Sequence, residues 1–371
     1  MTTTLTTRIG HPSEIIDPAL IQKIRDTAHE AEAQRRLHND QLQIIHREKW
    51  LKMFVPRVYG GLELSIPQIL QTEECLAWAD GSTAWVVTLC SGAAWFVGFL
   101  QPELSAQVFA DDHACFAGSG AATGTAQITA DGYEVEGRWK YASGSLHATV
   151  FTANCLIYEG GKQLYHPDGT PRVRSFLFLK DEVTVHRTWN SMGMIATGSH
   201  TFEVKKLRVP ANRSFVIDAR QATLKHPLYQ YPFLQLAETT LTVNLAGMAI
   251  RFLDLCESLL AEKAKSNRIG AQSPDLMNLL SEARADLHEH RRKFYEAADA
   301  SWEHCVAGGE IPNHILGRVS NTSHRLAQRS RVLVDQLYPY CGLAAADVSQ
   351  EINRVWRDLH TASQHALFAS R

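Results

Sequence analysis

The chain has 371 residues, 45% hydrophobic and 20% charged, with Lys+Arg 37 against Asp+Glu 39 for a formal net charge of -2. That length exceeds one small domain and can bury a sizeable core, so two or three domains are expected. The near-neutral balance excludes the broad cationic field that nucleic acid or an anionic membrane would require, so neither is an expected partner.

The cysteines, Cys75, Cys90, Cys115, Cys155, Cys256, Cys305 and Cys341, are scattered singly and odd in number. Without a Cys-x-x-Cys pair, they read as reduced thiols of a cytoplasmic protein. The first eight residues, Met1 to Arg8, lack the apolar stretch of a secretory signal, which agrees with that compartment.

Taken in order, the pattern is helical from about residue 12 to residue 110. Pro12 to Pro18 opens helices through Arg35, and a polar, charged helix runs from about His38 to Trp50. Pro56 and the Gly60-Gly61 pair then break the helical texture. A helix capped by Ser65 continues to Ala79, and the Asp80 to Thr83 stretch separates it from an apolar run, Ala84 to Leu100. That run is shorter than the ~20 residues needed to cross a bilayer and is flanked by Asp80 and Glu103, so it reads as a buried helix.

From about Cys115 to Ile217 the texture changes to strands and turns. Runs such as Tyr133 to Val135, Thr149 to Tyr158, Ser175 to Leu179 and Val183 to His186 alternate with Asp131-Gly132, Gly160-Gly161 and Asp168-Gly169, predicting a β-barrel or sandwich. The glycine-rich Gly118 to Gly124 run has the wrong spacing for a dinucleotide-binding turn and leads into the strand-like Gln127 to Tyr133 instead of a helix. After Pro227 long amphipathic helices are expected from about Phe233 to Arg268, Asp275 to Val306 and Ile315 to Leu337. Leu280, Ala283, Leu287, Phe294 and Ala298 form the apolar stripe of the second. No Walker, Gly-x-Ser-x-Gly or His-Glu-x-x-His string occurs, and His288 and His290 have the wrong spacing to share a metal on one helix face, so no metal site is expected.

Four stretches, in this order, resemble the acyl-CoA dehydrogenase superfamily. They are Val55-Pro56 with Tyr59-Gly60-Gly61, Gly137-x-Trp139 with Ser143-Gly144, Trp189 through Thr197-Gly198-Ser199 to Val209-Pro210, and Arg354 through Arg357-Asp358 to His365. The resemblance implies an α+β multidomain fold: an N-terminal α-helical domain (1–114), a middle β-barrel (115–217) and a C-terminal four-helix bundle (218–371). It is strongest toward the branch of two-component monooxygenases that take reduced FMN or FAD from a separate reductase, form a C4a-hydroperoxide with O2 and hydroxylate a small, aromatic substrate.

On that branch the flavin lies beside Thr197, Gly198 and Ser199 and beside Trp139, Ala142 and Ser143, while Ser143, Ser119 and His365 carry the catalytic roles. Trp85, Trp95 and Phe96 suit an apolar substrate pocket. Homotetramers are the form the resemblance implies. In the dehydrogenases a glutamate base would fall near Ala366, and no acid follows Asp358 here. Phenol-hydroxylating members carry a second pocket histidine where this chain reads Cys90 to Trp95, so Ala93 and its neighbours leave the substrate class open. An acyl-CoA dehydrogenase or oxidase with bound FAD, and a non-catalytic binding relative, are the alternatives.

Overall fold

The computed structural model describes residues 9–265 and 274–368. The initial octapeptide and the expected helix end at Arg268 lie outside the described residues. Helices α1 (Pro18–Gln34), α2 (Asn39–Arg47), α3 (Ile66–Ala79), α4 (Gly81–Ala94) and α5 (Pro102–Phe109) come first. Asp80 alone divides α3 from α4, since it ends one helix and its carboxylate accepts the Thr83 N–H at 2.8 Å to cap the next. The expected four-residue break is therefore a single residue. After α4 the chain tightens into a 3-10 turn over Trp95–Phe99. The Gly81–Phe99 span is long and apolar enough to cross a membrane, but 78% of its window is buried inside the protein, which accounts for its apolarity.

Eight strands follow: β1 (Phe116–Thr129), β2 (Gly132–Ala142), β3 (Val150–Glu159), β4 (Lys162–Gln163), β5 (Val173–Leu179), β6 (Thr184–His186), β7 (His200–Pro210) and β8 (Ser214–Phe215). They form one sheet in the order β6-β7-β2-β1-β3-β5-β8, with β4 attached to β3. The β1–β3 pair is parallel and the other pairs are antiparallel.

The sheet curls strongly. Strands β2 and β5 are three positions apart, about 14 Å in a flat sheet, yet Tyr133 and Phe176 have ring centroids 5.0 Å apart and Trp139 and Phe178 5.9 Å. The inner face thus closes on a core of its own, built from Val135, Trp139, Phe151, Phe176, Phe178 and Phe202. The glycine-rich run lies inside β1 as a bulge. Ser119 pairs with Ala153 and Gly124 with Cys155, so the residues between them are extruded from the ladder.

Helices α6 (Pro227–Gln230), α7 (Phe233–Lys265), α8 (Pro274–Val306), α9 (Asn313–Cys341), α10 (Leu343–Ala346) and α11 (Glu351–Ala362) complete the chain. The expected stripe of α8 is buried, from Leu280 to Ala298. The N- and C-terminal helices share one continuous core. Gly247 of α7 makes that possible: a Cβ there would lie 2.3 Å from the Glu74 carbonyl oxygen of α3, so only glycine allows the two helices this approach. Arg291 of α8, expected away from the apolar stripe, is also buried, and donates to both carboxylate oxygens of Glu74 at 2.8 and 2.7 Å. Tyr295 donates to the same carboxylate at 3.0 Å, so this buried ion pair is satisfied on both sides.

Candidate active site

Two turns distant in sequence are stapled together at one end of the sheet. The first ends β2, and the second, Ile195–Thr197, is a 3-10 turn bracketed by left-handed backbone at Met194 and Gly198. Gly144 N–H donates to the Thr197 carbonyl at 2.9 Å, and the Ser145 hydroxyl donates to the Gly198 carbonyl at 2.7 Å.

Helix α11 clamps the loop leading into the second turn. Arg357 donates to the Met192 carbonyl at 2.6 Å, and the Asp358 carboxyl accepts the Met194 N–H at 2.5 Å. A Cβ on Gly193 would stand 2.1 Å from the Arg357 carbonyl oxygen, so the loop lies directly on the helix backbone. Trp189 closes the loop from within, its indole N–H donating to the Met194 carbonyl at 2.8 Å. Burial, and then the neighbouring Asp80, push the Asp358 carboxyl up to about 7, against the opposing pull of the Met194 N–H and Arg354.

The stapled turns bring three hydroxyls into a chain. Ser143 Oγ is 2.8 Å from Ser199 Oγ, which is 2.7 Å from Thr197 Oγ1, which in turn is 2.7 Å from the Met194 carbonyl oxygen. A carbonyl only accepts, so the Thr197 hydrogen is committed to it. Ser199 must then donate to Thr197, and Ser143 to Ser199, because each hydroxyl has one hydrogen. Ser143 is left with acceptor capacity alone for any further partner.

Ser143 also lines a cavity of about 300 Å³ between α4, the sheet and α7. Its walls are largely apolar, with Leu89, Phe96, Ile217, Leu236 and Leu241, and its polar groups include Thr88, Ser119, Asn154 and His365. His365 follows α11. Its Nδ1 accepts the Leu367 N–H at 3.3 Å, which leaves the neutral ring's proton on Nε2, and burial lowers its pKa below the usual 6.5. The Trp85 ring meets it edge-on at 6.0 Å.

The cavity gathers Ser119, Ser143, Phe96 and His365 from the sequence-derived set. Thr197 and Ser199 reach it through the hydroxyl chain, and Trp85 stands behind His365. Three expected contacts are corrected. Trp95 is 1% exposed; its ring stacks on Phe233 and its N–H donates to the Leu228 carbonyl at 2.7 Å. Adjacent residues of a 3-10 turn point ~120° apart, so Trp95 faces the core where Phe96 faces the cavity. Trp139 is fully buried inside the curled sheet, stacked on Phe202 with its N–H donated to the Asn154 carbonyl at 3.0 Å, so it has no atom to offer a ligand. Ala142 is likewise fully buried and presents no side chain. His360, earlier on α11, is buried, bonded to Asp335 at 2.8 Å and packed on Trp356.

Missed in the sequence were Thr88, Leu89 and Gly92 of α4. Their spacing, with Phe96, repeats at three, four and seven residues along one helix face, a signal hidden because the whole helix is apolar. Tyr141 was missed as well: it is 68% exposed with φ 66°, beside Ser143 and edge-on to Trp189.

An acceptor-only hydroxyl next to an exposed aromatic ring fits a flat ligand carrying an N–H, as reduced flavin does at N5. Ser143, Thr197, Ser199 and Tyr141 would hold it.

The order of helices, curled sheet and helices defines an acyl-CoA dehydrogenase-like fold, and residues 240–370 match the family model described as acyl-CoA dehydrogenase, C-terminal domain. Over 353 residues the chain is 26% identical to an indole-3-acetate monooxygenase of Pseudomonas putida, covering 94% of this chain and 88% of the relative. It is also 26% identical to the flavin-dependent monooxygenase oxygenase subunit HsaA of Mycobacterium tuberculosis, covering 94% and 89%. XiaF from Streptomyces sp., solved in complex with FADH2 and glycerol, superposes with a TM-score of 0.85 at 24% identity, covering 96% of this chain and 92% of that one.

Proposed function

We propose that this chain is the oxygenase component of a two-component flavin-dependent monooxygenase that hydroxylates a small aromatic substrate with reduced FMN or FAD and O2. The observation that carries the reading is the convergence of Ser119, Ser143 and His365, from three separate regions, on one apolar cavity beside the Ser143-Ser199-Thr197 hydroxyl chain. Reduced flavin, when bound, supplies the electrons that activate oxygen.

The protein's own groups do the rest. Ser143 accepts the flavin N–H and so holds that proton in place. His365, which burial holds in its neutral form with the proton on Nε2, donates a hydrogen bond to the reacting oxygen. Ser119 orients the substrate, and the walls of Leu89, Phe96, Leu236 and Leu241 keep water out. No Asp or Glu lines the cavity among the described residues, which disfavours α-proton removal from an acyl-CoA.

A flavin reductase as transient partner, a homotetramer assembled through a C-terminal four-helix bundle, closure of the curled sheet into a barrel and a cytoplasmic location complete the reading. Anaerobic mixing with reduced FMN or FAD, followed by oxygen in a stopped-flow spectrometer, tests it. A transient absorbing near ~380 nm before the oxidised-flavin spectrum develops is the expected result; smooth oxidation with no transient, or no flavin binding, overturns it. With a turned-over aromatic substrate, His365→Ala should lose coupling of flavin oxidation to hydroxylation, and unchanged coupling would remove His365 from the mechanism.

A further inference from the structure

The sheet wall of the cavity is interrupted at one residue of β3. Strands β1 and β3 pair Ser119 with Ala153 and Gly124 with Cys155, so Asn154 alone stands opposite the residues that bulge out of β1. Phe151, Ala153 and Cys155 belong to the inner core, and the alternation of a strand sends the Thr152 and Asn154 side chains to the other face, where both line the cavity. On β5, Ser175 is the direct cross-strand partner of Asn154 and lines the cavity beside it.

The Asn154 amide spans the gap. Its Nδ2 donates to the Gly120 carbonyl at 2.9 Å, in place of the ladder bond that the bulge removes, and its Oδ1 accepts the Ser175 hydroxyl at 2.7 Å. These two contacts fix which way the amide points. A carbonyl only accepts, so the nitrogen must lie on the β1 side; the oxygen then lies on the β5 side and takes the Ser175 hydrogen. The nitrogen carries two hydrogens, and among the described residues only the one to Gly120 has a partner. The two N–H bonds of a planar amide diverge. With one running along the sheet to β1, the other, on the same side as Oδ1, rises from the sheet into the cavity that α4 and α7 close. Ser119, Ser143 and His365 have roles in the reaction above, and this donor has none.

We propose that Asn154 is a specificity-determining residue, which donates its second N–H to a neutral carbonyl oxygen on the aromatic substrate. The inference rests on the monooxygenase reading of the cavity and adds to it the chemical class of the substrate. A neutral acceptor is favoured over a carboxylate because no Lys or Arg lines the cavity among the described residues, and a buried charge without a counter-charge is strongly disfavoured. The cavity then has polar groups of opposite sense, a lone pair at Ser143 for the flavin and a hydrogen at Asn154 for the substrate.

1-Indanone and indane, flat bicyclic compounds of similar shape of which only indanone has a carbonyl, make the test. Each is titrated calorimetrically into the full-length protein, with the affinity for reduced FMN measured anaerobically in the same preparations. The ratio of indanone to indane affinity should fall about 5- to 10-fold in Asn154→Leu, the value of one neutral buried hydrogen bond, while indane itself reports any change in cavity shape. In Ser175→Ala, where Gly120 still holds the nitrogen, the ratio should stay near wild type. Infrared difference spectra of indanone labelled with carbon-13 at the carbonyl give a second reading. The bound carbonyl stretch should lie at lower wavenumber in the wild type, Ser175→Ala and His365→Ala than in Asn154→Leu.

A ratio that survives Asn154→Leu, a stretch that moves in His365→Ala and not in Asn154→Leu, or no binding of indanone by the wild type overturns the inference. Should Asn154→Leu fail to fold, the wild-type spectrum decides: a bound stretch no lower than that of indanone in an alkane solvent overturns it. Tight reduced-FMN binding without carbonyl recognition fails this inference alone, whereas absence of flavin binding fails the functional reading beneath it.

Discussion

The direction of the Ser143-Ser199-Thr197 hydrogen bonds makes a prediction about redox preference. With the Thr197 hydrogen fixed on the Met194 carbonyl at 2.7 Å, Ser143 offers a ligand a lone pair and no hydrogen. Reduced flavin presents a donor at N5 and oxidised flavin an acceptor, so with N5 at Ser143, as proposed, the hydroxyl chain is expected to favour the reduced form by one hydrogen bond made against one refused. Thr197→Val removes the anchor at nearly constant volume. Ser199 then has no acceptor in Thr197 and can turn its hydrogen to Ser143, which frees the Ser143 hydrogen for an acceptor.

A neutral hydrogen bond contributes about 1 kcal/mol, so the ratio of Kd for oxidised to reduced FMN should fall about 5-fold or more in Thr197→Val and stay near wild type in Thr197→Ser. Anaerobic calorimetric titration with oxidised and chemically reduced FMN measures both constants. An unchanged ratio in Thr197→Val would refute the proton order, even if both affinities dropped together from loosened packing.

Asp358→Asn should change the pH dependence of stability. The native protein holds the Asp358 proton more tightly than the unfolded chain, since its pKa rises from an ordinary 3.8 to about 7. The stability this proton gives is therefore full below about pH 4 and is lost as pH climbs through about 7, a difference of about 4 kcal/mol. Urea midpoints for wild type and variant should converge at the acid end and diverge in the variant's favour at neutral pH; parallel curves would contradict it. Gly193→Ala should push the flavin-side loop off α11, because the new Cβ would stand 2.1 Å from the Arg357 carbonyl. A loss of about 1–3 kcal/mol with weakened flavin binding is expected, read by thermal unfolding and FMN titration. Gly92→Leu meets nothing within 4 Å of its Cβ and sits in a helix that favours leucine. Its melting temperature should hold or rise while the cavity loses room for a bicyclic ring, seen as weakened indole binding.

Much of the architecture was legible because it depends on local pattern. The 3.6-residue stripe from Leu280 to Ala298, the capping Ser65 and the strand texture between Cys115 and Ile217 act over a few residues, and each element formed where its pattern lay. The motifs around Ser143, Thr197 to Ser199 and Arg357-Asp358 were visible as short strings, though nothing in those strings says that they meet.

Residue type and order were thus set by the sequence alone: hydroxyls at 143, 197 and 199, a histidine at 365, and no acid after Asp358. What each side chain faces was decided by packing between distant segments. Trp95 and Phe96 share an apolar helix and differ by one helical step, yet one stacks in the core and the other lines the cavity. Glu73 and Glu74 are chemically identical neighbours, and only the position of Arg291, more than two hundred residues away, gives one a cation partner and leaves the other without a hydrogen bond. Local periodicity fixes which element forms, but charge state and facing depend on the partner a side chain meets, and that partner exists only once α3, α4, α7 and α8 are packed together.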